Sequence, residues 1–368
     1  MAALIQAVDF PRLFRDEVPL LDVRAPVEFA RGSFPTATNL PLLNNQEREA
    51  VGIRYRQQGR DAAVALGHEL VADEEKESRL RGWMDFASNN PGLTLYCYRG
   101  GLRSTICQQW LLQAGVEVPR IAGGYKALRR FLIDTIDRAA EKASMVIIAG
   151  KTGCGKTHFI NSVTNSLDLE ACANHRGSAF GRRVLSQPVQ IDFENQLATQ
   201  LLRLDWQEQQ RVVLEDESRA IGSLSIPQNF HRRMSESPLA LIEESLQQRV
   251  NTIHLDYIQS NYQEFKEHYP EQADELFAQS LCDSLARIER RLGGENFHMI
   301  QNMLNAALDT QLRSGNIDDH RLWIEALLTH YYDPMYDFQL AKKSDRIVFR
   351  GNKDELRNWI QPVIDTSQ

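Results

Sequence analysis

The chain has 368 residues, which is too long for one ordinary hydrophobic core, so its length predicts two domains. A formal net charge of −7 at pH 7 excludes a strongly basic nucleic-acid-binding protein as a class, although it allows a local basic face. No run of about 18 apolar residues occurs, so no membrane span is expected. The first residues lack the pattern of a signal peptide, and five cysteines follow no pairing pattern, which predicts a reducing cytoplasm and free thiols.

The first 137 residues alternate strand-like and helix-like segments. Strands are predicted at 19–24, 93–96 and 118–122, a loop at 32–41, and helices at 10–14, 26–31, 46–88 and 126–142. Such alternation predicts a mainly parallel sheet with helices on both faces. In sheets of this kind the ligand sits beyond the carboxyl ends of the strands.

A cysteine-containing loop follows the strand at 93–96. The loop contains Cys97, Arg99, Gly100, Gly101 and Arg103, and a helix is predicted from about 105 to 114. Glycines permit positive φ and close backbone approach. The arginines and the helix N-terminus favour a thiolate over a thiol, which predicts a nucleophile in an anion-binding loop. The alternative is a small, buried structural cysteine.

A second motif opens the rest of the chain, after a buried strand predicted at 145–149. It reads Gly150-Lys151-Thr152-Gly153-Cys154-Gly155-Lys156-Thr157 and matches G-x-x-x-x-G-K-[ST] at every fixed position. A helix predicted at 158–165 completes the context of a P-loop. Backbone N–H groups of such a loop wrap a diphosphate, Lys156 adds a positive charge, and Thr157 can hold Mg²⁺. Cys154 stands at a free position and is predicted to be a bystander rather than a second reactive thiol.

Further candidates follow the P-loop. Arg176, Arg182 and Arg183 lie in a glycine-rich loop that predicts phosphate or nucleic-acid contacts, or else an ordinary surface turn. An apolar strand from 212 ends in acids, of which Glu215 and Asp216 are candidates for the Mg²⁺ side of the site, or else an ordinary strand end. Other predicted strands are 239–243, 252–256 and 346–350, and predicted helices cover 259–331 and 354–360.

The first half resembles a rhodanese domain. The resemblance rests on Asp22-Val23-Arg24, Glu28, Gly32, Asn39-Leu40-Pro41, the Cys97 loop and Gly123-Gly124-Tyr125, in that order. Rhodanese-type domains carry a sulfur or selenium atom on the loop cysteine. The spacing from Cys97 to Arg103 is Cys-x5-Arg, one residue longer than in the usual sulfur-transfer loop. That length resembles the dual-specificity phosphatases, so it suits a phosphate-bearing donor or the larger selenium atom and leaves a phosphatase open.

Both motifs in one chain resemble the tRNA 2-selenouridine synthases. Segments 175–181, 214–219 and 331–336 carry the rest of that resemblance. It implies an α/β fold with a rhodanese-like domain at 1–137 and a P-loop NTPase-like domain at 143–368 that has a helical C-terminal part. It also implies a transferase that replaces sulfur by selenium at C2 of wobble 2-thiouridine in tRNA (position 34). Selenophosphate would be the selenium donor, and the route would pass through S-geranylation from geranyl diphosphate.

The resemblance further implies roles for the candidate residues. Cys97 would carry selenium as a selanyl sulfide while Arg99, Arg103 and the loop amides hold the donor's phosphate. The P-loop would hold geranyl diphosphate, with a nucleotide as the alternative. No tightly bound cofactor is expected, and Mg²⁺ is left open. The expected partners are tRNA, held by basic patches and aromatic side chains, and an enzyme that supplies selenophosphate; residues 259–331 would form part of the tRNA surface or plain scaffold.

Two other classes stay open from the residues alone. One is a cysteine-dependent phosphatase fused to a nucleotide-binding domain. The other is a non-catalytic regulatory module whose P-loop senses a nucleotide and whose Cys97 is inert.

Overall fold

The computed structural model describes residues 3–204, 206 and 211–360. The expected domain limits at residues 1 and 368 lie outside this described part. The chain divides into two compact units, of which unit 1 comprises Met1–Ala139 and Val189–Arg203 and unit 2 comprises Ala140–Pro188 and Leu204–Gln368. The chain therefore leaves unit 1, returns to it for one segment, and leaves it again.

The first part of the chain alternates strands and helices, as predicted. Its elements are β1 (Leu4–Ile5), α1 (Phe10–Arg15), β2 (Leu20–Asp22), α2 (Pro26–Phe29), β3 (Ala37–Asn39), α3 (Asn45–Leu70), α4 (Asp73–Asn89), β4 (Thr94–Tyr96), α5 (Leu102–Gln113), β5 (Arg120–Ile121) and α6 (Gly124–Lys142). The loop predicted at 32–41 is partly wrong, because its second half forms β3, an edge strand. The helix after Cys97 begins at Leu102, earlier than the predicted 105.

The strands of unit 1 form one sheet in the order β1-β5-β4-β2-β3, and every pairing is parallel. The prediction of a parallel sheet is confirmed. The inner strands β2 and β4 are fully buried and are paired in register from Leu20 with Thr94 to Asp22 with Tyr96. Cys97 follows β4 directly, so it lies at the carboxyl edge of the sheet.

A buried ion pair explains why the rhodanese-like sequence needs Asp22 and Arg24. Arg24 is 1% exposed, and its Nε lies 2.8 Å from Asp22 Oδ2. The hydroxyl of Tyr96 donates to the same carboxylate at 2.8 Å, and the Arg24 guanidinium lies 3.8 Å from the ring centre of Tyr125. A buried charge pair is tolerated when its remaining polar atoms are also bonded, as they are here. This network joins the ends of β2 and β4 beside Cys97.

Helix α3 bends sharply at Gly59. The backbone there has φ 83° and ψ −173°, a conformation adopted almost only by glycine. The helix therefore consists of two halves that run in different directions from the bend.

The middle of the chain contributes to both units. Its elements are β6 (Met145–Ala149), α7 (Lys156–Ile160), β7 (Ser166–Leu167), α8 (Leu169–Cys172) and α9 (Gln190–Arg203). The helix predicted to end at residue 165 ends at Ile160, and Asn165 has a positive φ of 56° just before β7. Helix α9 belongs to unit 1, where Asp192 Oδ1 accepts a hydrogen bond from the amide of Ser33 at 2.5 Å.

The remaining elements build unit 2. They are β8 (Val212–Glu215), β9 (Ala220–Ile221), β10 (Leu224–Ser225), α10 (Gln228–Glu236), β11 (Leu239–Ile242), α11 (Leu246–Ile253), α12 (Asn261–His268), α13 (Ala273–Ala286), α14 (Glu289–Leu292), α15 (Gly294–Ser314), α16 (His320–Leu327), α17 (Asp333–Ala341), β12 (Ile347–Gly351) and α18 (Lys353–Ile360). A parallel sheet has the order β12-β11-β6-β8-β7, and β6, at its centre, leads into the P-loop.

Two π-helical segments interrupt the helices of unit 2. They are His254–Ser260, between α11 and α12, and Leu328–Tyr332, between α16 and α17. The strand predicted at 252–256 is therefore wrong. Buried positions recur at Val250, Ile253 and Ile258, which is the spacing of a helical face rather than the alternation of a strand.

The helical prediction for 259–331 is confirmed, with breaks at Gly293 and Gly315, both of which have positive φ. These helices enclose an apolar core that includes Phe277, Ile300 and Trp323. Among the described residues, no helix combines the length and apolar character that crossing a membrane requires.

Candidate functional sites

The Cys97 loop places a sulfur at the first turn of α5. Cys97 is 3% exposed, and its thiol donates to Ser104 Oγ at 3.2 Å. The hydroxyl of Ser104 in turn donates to the carbonyl of Gly101 at 2.9 Å. Gly101 is the residue that precedes the helix, so the sulfur lies beside the free N–H groups of its first turn. The free N–H groups at this end of the helix can bind an anion.

A second glycine loop supports the first. Gly124 has φ 58°, and a Cβ added to it would overlap with the carbonyl oxygen of Cys97. The amide of Tyr125 donates to that same carbonyl at 2.9 Å. Gly100 also has positive φ, and a Cβ there would lie 2.7 Å from Ile121 O. Gly100 and Gly124 are thus needed because two backbones meet there without room for side chains.

The two arginines of the Cys97 loop have different surroundings. Arg103 donates to both carboxylate oxygens of Glu28, at 2.6 and 3.2 Å. Burial opposes the charge of Arg103, but the bonds from Glu28 outweigh burial and raise the pKa of the guanidinium. Arg99 is exposed and forms no hydrogen bond or ion pair within the described part of the chain. Their role in holding a donor phosphate stays a prediction.

The P-loop of unit 2 runs from β6 to α7 through three glycines of positive φ, Gly150, Gly153 and Gly155. Lys156 Nζ donates to the carbonyl of Gly150 at 3.0 Å and lies 5.6 Å from the ring centre of Tyr336. Burial opposes its charge, but acidic groups nearby outweigh burial and raise the pKa of Lys156. The lysine is thus held charged beneath the loop.

The variable positions of the P-loop have surroundings that differ from those of Lys156. Lys151 forms an ion pair with Asp337 at 2.8 Å on the surface. Cys154 is 1% exposed, and a Cβ added at Gly150 would lie 2.5 Å from its sulfur. The thiol of Cys154 fills space under the loop, as a bystander would. Thr152 lines the cavity described below.

The acid nearest to Thr157 is one that the sequence analysis missed. The hydroxyl of Thr157 donates to Glu170 Oε2 at 3.1 Å, and the amide of Gly177 donates to Glu170 Oε1 at 2.6 Å. Burial raises the pKa of Glu170, and burial together with Glu170 raises the pKa of Glu217 to about 8. The acid at 170 lies just after a two-residue strand, too weak a signal for sequence analysis to detect.

The predicted acids Glu215 and Asp216 have other partners. Glu215 is 1% exposed, and its Oε1 accepts the amide of Glu170 at 2.9 Å, so it fixes the start of α8. Burial raises its pKa well above the usual range, and its Oε2 has no partner among the described residues. Asp216 lines the cavity and is paired with Lys343 at 2.6 Å. Among the described residues, no cluster of three or more His, Cys, Asp or Glu is arranged to hold a metal ion.

A cavity of about 690 Å³ opens over the P-loop. Lys156 and Thr157 line its polar side. The lining also includes aromatic and apolar side chains from both π-helical segments and the start of α17, namely Tyr257, Tyr331, Tyr332, Met335 and Tyr336, and further charged side chains such as Arg219, Lys342 and Lys343. π-Helical segments often occur at functional sites. The cavity can therefore hold a ligand that has a phosphate group at one end and an apolar body.

The arginines at 176–183 do not line this cavity. Arg176 bonds to Asn261 and lies 5.3 Å from the ring centre of Tyr257, and Arg183 lies 3.6 Å from Glu264. Arg182 is exposed. The cavity wall nearby comes instead from residues 177–179. Contacts of these arginines with phosphate or tRNA stay a prediction.

Comparisons with known proteins agree with both sites. A family model described as the tRNA 2-selenouridine synthase AAA domain matches residues 143–366, and a rhodanese-like domain model matches residues 8–130. A solved N-terminal domain of an ATP/GTP binding protein from Clostridium difficile 630 is 31% identical and covers 36% of this chain and 99% of its own, but its TM-score of 0.31 supports no structural argument.

Several relatives that match this chain over nearly its full length share one name. A protein from Pseudomonas putida named tRNA 2-selenouridine synthase is 49% identical over 355 residues, which are 96% of each chain. Proteins of the same name from Marinobacter nauticus and Bordetella petrii are 46% and 48% identical, over 100% and 96% of this chain and 100% and 95% of their own.

Proposed function

This chain belongs to the tRNA 2-selenouridine synthase family, and from that premise we propose that it replaces the sulfur of wobble 2-thiouridine in tRNA by selenium. Selenophosphate is the proposed donor, and S-geranylation from geranyl diphosphate is the proposed activating step. One observation supports this proposal: the P-loop cavity is lined both by Lys156 and Thr157, which suit a diphosphate, and by aromatic and apolar side chains such as Tyr332 and Met335, which suit a prenyl chain.

The geranyl step fits unit 2. The sulfur of 2-thiouridine attacks C1 of geranyl diphosphate, the C–O bond breaks, diphosphate leaves, and the N3 proton is lost. The amides of the P-loop and Lys156 stabilise the leaving diphosphate because its charge develops where they point. The apolar chain lies against Tyr332 and Met335, which line the same cavity.

Mg²⁺ would fit beside Thr157. A hydroxyl and a carboxylate are the hard oxygen ligands that this ion prefers, and Thr157 and Glu170 present both within 3.1 Å of each other. Bound there, the ion would neutralise diphosphate charge. The remaining ligands would come from diphosphate oxygens and water, since Asp216 is paired with Lys343.

The selenium step is assigned to unit 1. The C2–S bond breaks, a C2–Se bond forms, geranyl thiol leaves with a proton, and water cleaves the Se–P bond to give phosphate. This exchange is redox-neutral. We assign Cys97 as the nucleophile because its sulfur lies at the first turn of α5: the Cys97 thiolate attacks C2 and displaces geranyl thiol, and the selenium of selenophosphate then attacks C2 and displaces the Cys97 thiolate. The expected selanyl sulfide on Cys97 would need a two-electron oxidant to form from selenophosphate and a thiol reductant to release its selenium, and intact-mass analysis of protein treated with selenophosphate tests for it.

The test is mass spectrometry of nucleosides from tRNA that carries 2-thiouridine. The protein is incubated with geranyl diphosphate, with selenophosphate, with both, or with ATP in place of geranyl diphosphate. We expect a geranyl mass gain with the first and sulfur-to-selenium exchange with both. An unchanged nucleoside under every condition overturns the proposal. In that case Cys97-dependent hydrolysis of an aryl phosphate would favour the phosphatase.

A further inference from the structure

Unit 1 contains an apolar groove that the proposed reaction leaves unassigned. Its volume is about 390 Å³, within the range of roughly 300–1,000 Å³ that is typical of small-ligand sites. Its walls include Val51 and Tyr55 from the first half of α3, Val64 from the second half, and Ile106 and Trp110 from α5. The bend at Gly59 separates the two halves of α3, so both can line one groove.

Large apolar side chains remain uncovered along this groove. Tyr55 is 59% exposed and Leu102 is 43% exposed. Contiguous exposed apolar surface is costly in water and commonly marks a binding site. A ligand with an apolar group would remove this surface from water.

The groove adjoins the Cys97 loop. Leu102, the first residue of α5, lies in its wall. Leu42 and Leu43 line the groove and also belong to the buried cluster that contains Cys97. Val51, Ile106 and Trp110 pack against that cluster from the groove side. A group bound here would therefore lie against the cluster that contains Cys97, although Cys97 itself does not line the groove.

A second cavity, which contains charged side chains, adjoins the apolar groove. It has a volume of about 700 Å³ and shares Tyr55 and Arg103 with the groove. Arg48 and Arg56 line it as well, together with Glu28 and Glu49, and Arg48 Nε lies 3.4 Å from Glu28 Oε2, so Arg56 is the arginine left for a ligand. Arginine binds phosphate groups, and an exposed tyrosine ring can stack on an unpaired base. An arginine-lined cavity joined to an apolar groove fits a nucleotide that carries an apolar substituent.

We propose that this groove binds the prenyl chain of the S-geranylated wobble nucleotide in tRNA, and that the arginine-lined cavity holds the adjoining phosphates. The inference rests on the proposed function, because the geranyl thioether must lie beside Cys97 when selenium replaces it. Unit 1 would then select the geranylated nucleotide over unmodified 2-thiouridine. The geranyl group serves as a recognition element as well as a leaving group.

Binding experiments test this without turnover. Anticodon stem-loop RNAs that carry 2-thiouridine, its S-methyl form or its S-geranyl form are titrated against the full chain. We expect the S-geranyl RNA to bind at least about tenfold more tightly than the 2-thio RNA because more apolar surface is buried, with the S-methyl RNA between them. Val64→Glu should abolish this preference, because it places a charge in the wall of the groove.

Ile53→Glu is the matched control, because Ile53 is 38% exposed on the same helix and lines neither cavity. It should keep the preference. Tyr55→Ala, at an exposed position where folding is not at risk, should reduce the preference about three- to fivefold. Equal preference in the wild type, Val64→Glu and Tyr55→Ala proteins overturns the inference. Loss of geranylation from geranyl diphosphate would instead count against the proposed function, since these RNAs are supplied already modified.

Discussion

The guanidinium of Arg103 is bonded to both carboxylate oxygens of Glu28, at 2.6 and 3.2 Å. The arginine expected to hold the donor's phosphate is therefore already neutralised by a carboxylate. A phosphate-bearing donor that uses Arg103 has to compete with this pair.

Glu28→Gln should accordingly lower the KM for selenophosphate by about three- to tenfold, because a neutral amide competes less for the guanidinium. Steady-state kinetics on geranylated tRNA measure this effect. The same variant should lose about 1–3 kcal/mol of unfolding free energy, since the ion pair is partly buried. A raised KM would show that Glu28 orients Arg103 for the donor instead of competing with it.

Cys97→Ala should abolish selenation and leave geranylation within about twofold of wild type. Only selenation requires the Cys97 sulfur, and loss of a catalytic nucleophile typically costs at least ~10³-fold in rate. Nucleoside mass spectrometry with each substrate alone separates the two activities. If a folded, tRNA-binding Cys97→Ala protein lost both, the division of labour between the units would be wrong.

Lys156→Ala should reduce geranylation and leave selenation in place, the reverse of Cys97→Ala. Geranylation should fall by about 10²-fold or more, because the leaving diphosphate loses its nearest cation. Selenation of tRNA that is supplied already geranylated should continue. Lys151→Ala is the matched control, since that lysine pairs with Asp337 on the surface, and it should retain most of the geranylation activity. Equal losses of geranylation activity in the two variants would contradict the assignment of Lys156 as the cation that stabilises the leaving diphosphate.

Gly124→Ala should destabilise the Cys97 loop. Its φ of 58° and the overlap of a Cβ with the carbonyl of Cys97 predict a loss of about 2–5 kcal/mol of unfolding free energy. Gly82→Ala, in the interior of α4 with no atom within 4 Å of the added Cβ, should be neutral or stabilising by up to ~1 kcal/mol. Denaturant titration compares the two, and similar losses would mean that the loop can move aside.

His320 should make stability depend on pH. Trp323 Nε1 donates to its Nδ1 at 2.9 Å, and its Nε2 lies 2.8 Å from Gln311 Oε1. Burial, and then the nearby His254, lower its pKa from 6.5 to about 4. A lowered histidine pKa means that the unfolded chain binds more protons between these values, so stability falls as pH falls from 6.5 towards 4.

The expected loss between pH 6.5 and pH 5 is about 2 kcal/mol of unfolding free energy. His320→Gln should flatten the pH profile of thermal unfolding over that interval. His298→Gln, at an exposed position, should leave the slope as it is in the wild type. The idea is contradicted if both variants keep the wild-type slope.

Most of the correct predictions came from patterns within short contiguous stretches of sequence. The segment from β4 through Cys97 to α5 and the segment from β6 through the P-loop to α7 are contiguous, so strand composition, glycines and helix starts are read together. Glu170 escaped notice because it reaches the P-loop from a separate segment, and Tyr332, although it lies in the resembling segment 331–336, could not be placed in the P-loop cavity from the sequence. The strand prediction for 252–256 failed for a related reason. The β-branched residues of this segment favour a strand, but its packing against other helices makes it helical.

The return of the chain to unit 1 through α9 has a consequence for protein synthesis. The amide of Ser33 is bonded to Asp192, and the guanidinium of Arg15 donates to the carbonyl of Leu202 at 2.7 Å. A ribosome must therefore translate β6 and the whole P-loop before the chain that completes unit 1 has emerged. The rhodanese-like part cannot be completed until the P-loop segment has been made, so a gene fragment that stops near codon 140 lacks α9 and leaves open the apolar face that α9 covers.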